Sequence, residues 1–157
     1  MRQLIWNSTL ESSAQEFSNG CPAGHSKNRK NIGENMYWWT SPVVTETDID
    51  LLGNRSSNLW ESEFQSSGWT ENTLTSEIFN TGIGHATQMA WATSISLGCG
   101  VSRCTGGSIE GTEYVVVCQY YPAGNYIGSD IYKSGETCSE CPEETSCDTN
   151  TGLCVQQ

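Results

Sequence analysis

Three short segments decide the fold of this chain: Gly84-His85-Ala86-Thr87-Gln88-Met89-Ala90-Trp91, Gly98-Cys99-Gly100, and Val117-Cys118-Gln119-Tyr120-Tyr121-Pro122-Ala123-Gly124-Asn125-Tyr126. The first segment predicts a short helix over residues 85–91. From residue 97 the apolar residues alternate, which predicts an antiparallel pair of strands at 97–103 and 113–121. Residues 114–118 are apolar on both faces, so we expect helices to cover both sides of this sheet.

The three segments, in this order, resemble the signature of the CAP superfamily, which includes cysteine-rich secretory, antigen-five and pathogenesis-related proteins. The resemblance implies an α+β fold, a three-layer α/β/α sandwich with a central antiparallel sheet, followed by a small disulfide-stapled C-terminal hinge. It implies a CAP (SCP) domain over residues 1–132 and a cysteine-rich hinge over residues 133–157. The pattern Gly135-x-x-Cys138-x-x-Cys141, with Gly152-Leu153-Cys154, resembles the activation-associated secreted (venom allergen-like) proteins of parasitic nematodes.

The family places another helix, and in precursors a signal peptide, before Leu4-Ile5-Trp6, and this sequence starts at Met1 without either. We therefore expect a truncated gene model or a fragment that exposes apolar surface and folds poorly. That helix also forms one wall of a lipid-holding groove in some members. Lipid or sterol binding is accordingly only the second alternative function.

Two further helices are predicted upstream of the decisive segments. Ser8-Thr9-Leu10-Glu11 is typical of a capping box, an apolar stripe follows it, and Gly20 is placed to end the helix. A second helix is predicted between residues 54 and 68. Gly98 and Gly100 are expected to let a disulfide or a crossing helix approach the backbone closely.

Composition excludes several classes of partner. The chain has 157 residues and carries 7 Lys+Arg against 18 Asp+Glu, a formal net charge of -11. Such a polyanion is repelled by nucleic acid and by anionic lipid, so neither is expected as a partner. No apolar run approaches the roughly 18 residues of a membrane helix, so a membrane-spanning protein is not expected.

The chain has eight cysteines, four of them between Cys138 and Cys154. The spacing Cys138-x-x-Cys141 could begin a zinc ribbon, but no second such pair and no nearby His completes it, which favours disulfides and a secreted, extracellular protein. The sequons at Asn7 and Asn54 predict glycosylation and agree with secretion. The family resemblance implies the pairs Cys21 with Cys104, Cys99 with Cys118, Cys138 with Cys147, and Cys141 with Cys154.

Four ionisable residues form the candidate site. The resemblance brings His25, Glu34, Glu63 and His85 into one cleft. Two imidazoles and two carboxylates suit Zn²⁺ or another divalent cation, with His25 and His85 as the ligands. The alternative is a purely structural network in which each Glu braces a His.

No catalytic residue is assigned. A metal-assisted hydrolase or peptidase, with Glu34 or Glu63 as base, is the first alternative function, but no Gly-x-Ser-x-Gly nucleophile elbow is present. The expected function is therefore non-enzymatic: a secreted effector that binds a protein receptor or target on host cells. Residues 42–52 and the rim of the cleft are the expected recognition surface.

Overall fold

The computed structural model describes residues 1–41, 49–69, 71–104 and 112–157. Along the chain the elements are β1 (Ile5–Trp6), α1 (Ser8–Asn19), β2 (Gly33–Ser41), α2 (Ile49–Ser66), α3 (Ser76–Phe79), α4 (Gly84–Met89), β3 (Ser96–Cys104), β4 (Thr112–Tyr121), β5 (Thr145–Asp148) and β6 (Leu153–Gln156).

Four of these strands form one sheet in the order β1-β3-β4-β2. The predicted antiparallel pair is confirmed as β3 and β4, with Cys99 opposite Cys118, and β2 runs antiparallel to the other side of β4. The short β1 is parallel to β3. The strand β2 was not predicted, because it begins with the polar residues Gly33-Glu34-Asn35, which give no apolar alternation.

The predicted α/β/α sandwich is confirmed, with β4 buried from both sides. Alternate side chains of β4 point to opposite faces, as the period of two in a strand requires. One face packs with α1 in a cluster comprising Ala14, Met36, Cys104, Val115 and Val117. The other face packs with α2 in a cluster comprising Leu52, Trp60, Tyr114, Val116, Cys118 and Tyr120.

The start of α1 differs from the prediction. The N-cap is Asn7, whose side-chain oxygen accepts hydrogen bonds from the backbone N–H groups of Thr9 and Leu10. Ser8 is thus the first helical residue, and Glu11 bonds the Trp6 indole instead of completing a capping box. The amide oxygen of an Asn one residue earlier accepts backbone N–H groups at the helix start, as a Ser hydroxyl oxygen would.

The helix α1 ends where Gly20 was expected to end it, but Gly20 itself keeps a right-handed φ of -75°. The left-handed residue is the next one, Cys21, with φ 47°. Cys21 is covalently tied to Cys104, which offers a physical reason for a non-glycine residue to hold this conformation.

The expected close approach at Gly98 and Gly100 is confirmed, and the crossing element is α1. A Cβ on Gly98 would lie 2.1 Å from the backbone nitrogen of Glu11, and one on Gly100 would lie 2.3 Å from the Cα of Gln15. Helix α1 therefore lies directly on the backbone of β3. Only residues without a side chain allow that spacing.

The helix α2 is longer than predicted and α4 is shorter. The first begins at Ile49 and not at residue 54, and the second ends at Met89, two residues before Trp91. Trp91 is buried in a separate cluster with Leu74 and Ile131. Of the expected recognition segment 42–52, residues 42–48 lie outside the described residues, and 49–52 are the first turn of α2.

All eight cysteines are paired, in the four combinations that the family resemblance implies: Cys21–Cys104, Cys99–Cys118, Cys138–Cys147 and Cys141–Cys154. The C-terminal segment forms its own hairpin, β5 with β6. It also docks on the start of the chain, where Gln3 N–H donates to the Cys154 carbonyl (2.9 Å) and Cys154 N–H donates to the Met1 carbonyl (2.8 Å).

The division between residues 132 and 133 stays a prediction, and so does glycosylation at Asn7 and Asn54. Asn54 is exposed on α2. Among the described residues, no helix is long and apolar enough to cross a bilayer.

Candidate functional site

The first half of the site is a carboxylate, Glu34, surrounded by hydrogen-bond donors. Glu34 is the second residue of β2, and its side chain is fully buried (0% exposed). His25 Nδ1 lies 2.8 Å from its Oε1, and Ser26 donates its backbone N–H (2.9 Å) and its hydroxyl (2.6 Å). The Arg29 guanidinium also donates to Oε1, and Gln119 Nε2 donates to Oε2 at 3.3 Å.

These donors decide the ionisation of Glu34. Burial by itself raises the pKa of a carboxyl, but here the hydrogen bonds from His25 and Ser26 and the positive charge of Arg29 outweigh it. The net result lowers the pKa of Glu34 from 4.5 to about 2. Glu34 is therefore an anion under all physiological conditions and a weak base.

The second half of the site joins α2 to the N-terminus of α4 through Glu63. Its Oε1 lies 2.7 Å from His85 Nδ1, and its Oε2 accepts the backbone N–H groups of His85 and Ala86 at 3.0 Å each. No residue of α4 caps its own helix with a side chain. Glu63 thus satisfies the free N–H groups at that helix end and orients the imidazole at the same time.

Both halves meet at one cleft of about 430 Å³, which His25, Glu34 and His85 line, while Glu63 holds His85. Arg29 and Phe79 line the same cleft. The side chains of His25 and His85 are 49% and 34% exposed, whereas those of the two carboxylates are 0% and 18% exposed. The imidazoles are accordingly the accessible groups.

The pairing at Nδ1 determines what the imidazoles can offer a ligand. A neutral His that donates Nδ1–H to a carboxylate has a free lone pair on Nε2. Within the described ranges neither Nε2 is hydrogen-bonded, so both nitrogens remain for a ligand. This carboxylate–histidine pairing is the one that usually orients a metal-binding His.

Other residues fix the walls of the cleft. Asn35 donates to the His85 carbonyl at 3.0 Å, and Asn125, with φ 60°, donates to the Gly84 carbonyl at 2.7 Å. The Trp60 indole stacks on the His85 ring with centroids 5.8 Å apart. These contacts hold α4, and with it His85, against β2 and the turn after β4.

Sequence reasoning missed three contributors to the site, Ser26, Arg29 and Gln119. Ser26 and Arg29 follow His25 in the same loop, and a hydroxyl and a cation close to a predicted site His are signals that could have been used. Gln119 lies within the quoted Val117–Tyr126 segment, but nothing in the pattern shows that a strand residue bonds Glu34, 85 positions earlier.

The donor set fits a divalent cation in part. Two Nε2 atoms and the oriented imidazoles favour it, whereas the Arg29 guanidinium beside His25 (3.4 Å from Nδ1) disfavours a second positive charge. Among the residues that the structure describes, no group of three or more His, Cys, Asp or Glu is arranged to hold an ion. His25 and His85 would therefore be the protein's two ligands, with other positions open to water or to a bound partner.

Comparison with known proteins gives consistent results. The model of "CAP: Cysteine-rich secretory protein family" matches residues 1–120. The chain is 36% identical over 160 residues to the Ancylostoma secreted protein of Ancylostoma caninum, which aligns 98% of this chain but only 36% of that protein, so the chain spans about a third of this curated relative.

Two solved structures share the architecture at similar identity. BmVAL-1 gives a TM-score of 0.88 at 34% identity, with 100% of this chain and 78% of that chain covered. The crystal structure of NaASP2 with Zn²⁺ gives 0.85 at 36% identity, with 98% and 76% covered.

Proposed function

This chain belongs to the CAP, or cysteine-rich secretory protein, family, and on that premise we propose that it is a secreted effector that acts by binding a protein on host cells. Four disulfides and no free cysteine agree with an oxidising, extracellular setting. The similarity to the Ancylostoma secreted protein supports the same assignment.

The observation that favours binding over catalysis is that both carboxylates of the site already accept several hydrogen bonds from the protein. A metal-assisted hydrolase needs a carboxylate that can take a proton from water. Glu34 accepts five hydrogen bonds, and those from His25 and Ser26, together with the charge of Arg29, lower its pKa to about 2; Glu63 accepts three hydrogen bonds. The Ser26 hydroxyl donates to Glu34 and not to His25, so no base activates it as a nucleophile.

The cleft is proposed to bind a divalent cation through Nε2 of His25 and of His85. The crystal structure of NaASP2 with Zn²⁺ supports this proposal for a chain of 36% identity. Such an ion would supply a positive charge with open coordination positions at the cleft rim. The oriented imidazoles would hold it there, next to the surface that meets a partner.

Titration calorimetry of Zn²⁺ into the disulfide-intact protein tests the cation site. We expect one site, weakened at least about tenfold in His25→Ala and in His85→Ala, because each removes one of two protein ligands. Glu61→Ala removes an exposed carboxylate of α2 outside the cleft and serves as the matched control. Heats that persist unchanged when both His are replaced would show that the network is a structural brace.

Binding of the labelled protein to mammalian leukocytes tests the effector proposal. We expect saturable binding that disappears when the cells are first treated with trypsin, because the partner is a protein. Binding that survives trypsin contradicts the proposal. Hydrolysis of peptides or esters that is lost in His85→Ala would favour the hydrolase, and a co-purifying lipid found by mass spectrometry would favour lipid carriage.

A further inference from the structure

A second concave surface lies beside the cleft, between helix α1 and the loop that follows it. We name it the lysine groove; it has a volume of about 670 Å³, and its lining includes Ser13, Phe17, Lys27, Lys30 and Gln119. Arg29 lines both the groove and the cleft. The lining of the lysine groove combines charged and polar side chains with the apolar Phe17, Pro22 and Ile32. Neither the cation site nor the effector surface proposed above makes use of it.

The charge of this groove is opposite to that of the molecule. The whole chain has 7 Lys+Arg and a net charge of -11, yet Lys27, Arg29 and Lys30 fall within four consecutive residues. Arg29 is neutralised by Glu34, but Lys27 and Lys30 are exposed and form no ion pair with any described residue. Glu16 at the edge of the groove is a carboxylate that opposes anion binding, so the attraction must come from the two lysines.

The floor of the groove contains an unsatisfied acceptor. Gln119 is 3% exposed, and its Oε1 is the buried side-chain atom without a hydrogen-bond partner among the described residues. Exchanging the amide's two ends would place the carbonyl oxygen against the Glu34 carboxylate, so Nε2 must stay where it is. A buried acceptor without a partner is energetically unfavourable. Oε1 is closed off from solvent, so it contributes to ligand binding only through a rearrangement of the Gln119 side chain.

We propose that the lysine groove binds an acidic saccharide, a short stretch of a sulfated polysaccharide. Sulfate groups complement the two unpaired lysines, Lys27 and Lys30, which are exposed on the groove. The hydroxyl of Ser13 and the Phe17 ring, both lining the groove, suit the hydroxyls and C–H faces of a sugar.

Electrostatics favours a narrow chain over a broad anionic surface. Charges beyond about 8 Å are screened at physiological salt, so a strand within the groove experiences mainly the local lysines. A bilayer would face a whole side of this acidic protein and be repelled. An acidic peptide carries the charge, but its donors are backbone N–H groups and not the dense hydroxyls of a sugar.

Titration calorimetry with a heparin-derived tetrasaccharide tests the proposal on the disulfide-intact protein, treated with a chelator so that no metal in the cleft contributes. We expect binding that weakens with added salt. Lys27→Gln or Lys30→Gln should each lower the affinity about fivefold, as the loss of one exposed charge contact, and the double variant about 25-fold. Lys133→Gln, an exposed lysine outside the groove, should change it less than about twofold.

Several results would overturn the proposal. Equal binding of the desulfated tetrasaccharide would do so, as would tighter binding of a tetra-glutamate peptide or of phosphatidylserine vesicles, or an equal loss of affinity in Lys133→Gln. Inorganic sulfate that binds as tightly as the tetrasaccharide would also contradict it, because the sugar would then contribute nothing. This experiment uses chelator-treated protein, defined sugars and no cells. Its result is therefore independent of the result of the leukocyte experiment.

Discussion

At the scale of single residues, the site depends on two carboxylates that orient the imidazoles and are less exposed than the imidazoles are. Glu34 and Glu63 each hold one His by Nδ1, at 2.8 and 2.7 Å. Each also accepts backbone N–H groups, so that it links the site to the surrounding chain. The two roles are inseparable, because the carboxylates that orient the imidazoles also connect α2 to α4, through Glu63, and β2 to the loop after α1, through Glu34.

The lowered pKa of Glu34 predicts an acid-sensitive stability. A carboxyl whose folded pKa is about 2 stabilises the fold fully above its unfolded pKa of about 4.5 and loses that contribution as the pH falls toward 2. The loss should be about 3 kcal/mol across this window. Urea unfolding of metal-free protein at a series of pH values measures it.

The matched variants for this experiment are Glu34→Gln and Glu61→Gln. The first should be less stable at neutral pH and should lose much less stability on acidification. The second removes an exposed carboxylate and should behave as the wild type. A Glu34→Gln variant with the full acid dependence of the wild type would refute the assignment.

At the scale of elements, the packing of α1 against β3 forms one layer of the sandwich. The glycines of β3 bring the helix so close that the Gln15 side chain bonds both the N–H (3.0 Å) and the carbonyl (2.9 Å) of Val101. Because β1 extends for only two residues, this part of β3 has no strand on that edge. Gln15 satisfies backbone groups that a longer β1 would have paired.

Adding a methyl group at Gly98 should therefore be destabilising. The new Cβ would lie 2.1 Å from backbone and not from a flexible side-chain end, so helix and strand must separate. We expect Gly98→Ala to lower the free energy of unfolding by at least about 2 kcal/mol. Gly53→Ala is the control, since its Cβ in α2 meets nothing within 4 Å and alanine favours a helix by up to about 1 kcal/mol. Chemical denaturation of both variants measures the difference. Equal stabilities of Gly98→Ala and Gly53→Ala would contradict the packing of α1 on β3.

At the scale of the whole molecule, the disulfides differ greatly in the number of residues that separate the paired cysteines. Cys21–Cys104 closes a loop of 83 residues between the end of α1 and the end of β3, whereas Cys141–Cys154 closes 13 residues within the tail. The tail is further held by backbone hydrogen bonds to Met1 and Gln3. The first disulfide restricts the unfolded chain much more than the second.

The disulfides should consequently differ in their effect on stability. In the chain-entropy account, Cys21→Ala with Cys104→Ala should cost about 4–5 kcal/mol, and Cys141→Ala with Cys154→Ala about 3 kcal/mol. Thermal unfolding of the two double variants, with the remaining disulfides intact, gives the comparison. A larger loss from the tail pair would show that docking on the N-terminal segment matters more than loop closure.

Sequence by itself determined the layers of this protein, because the apolar run of residues 114–118 in β4 and the apolar stripe of α1 are local patterns that indicate which faces are buried. The sequence also predicted the close contact at Gly98 and Gly100, because glycine has no side chain to keep another segment away from the backbone. The cystine pairing and the membership of the tetrad came from resemblance and not from local physics.

Only the tertiary structure decided which atoms of the site are free. Arg29 and Gln119 reach Glu34 from a loop and from a neighbouring strand. The charge of Arg29 adds to the hydrogen bonds from His25 and Ser26 that lower the pKa of Glu34, and the Gln119 contact leaves Oε1 of that residue without a partner. The parallel β1 and the N-cap at Asn7 were decided in the same way. The physical reason is that hydrogen bonding and burial depend on distances between segments remote in the chain, which no periodicity in the sequence encodes.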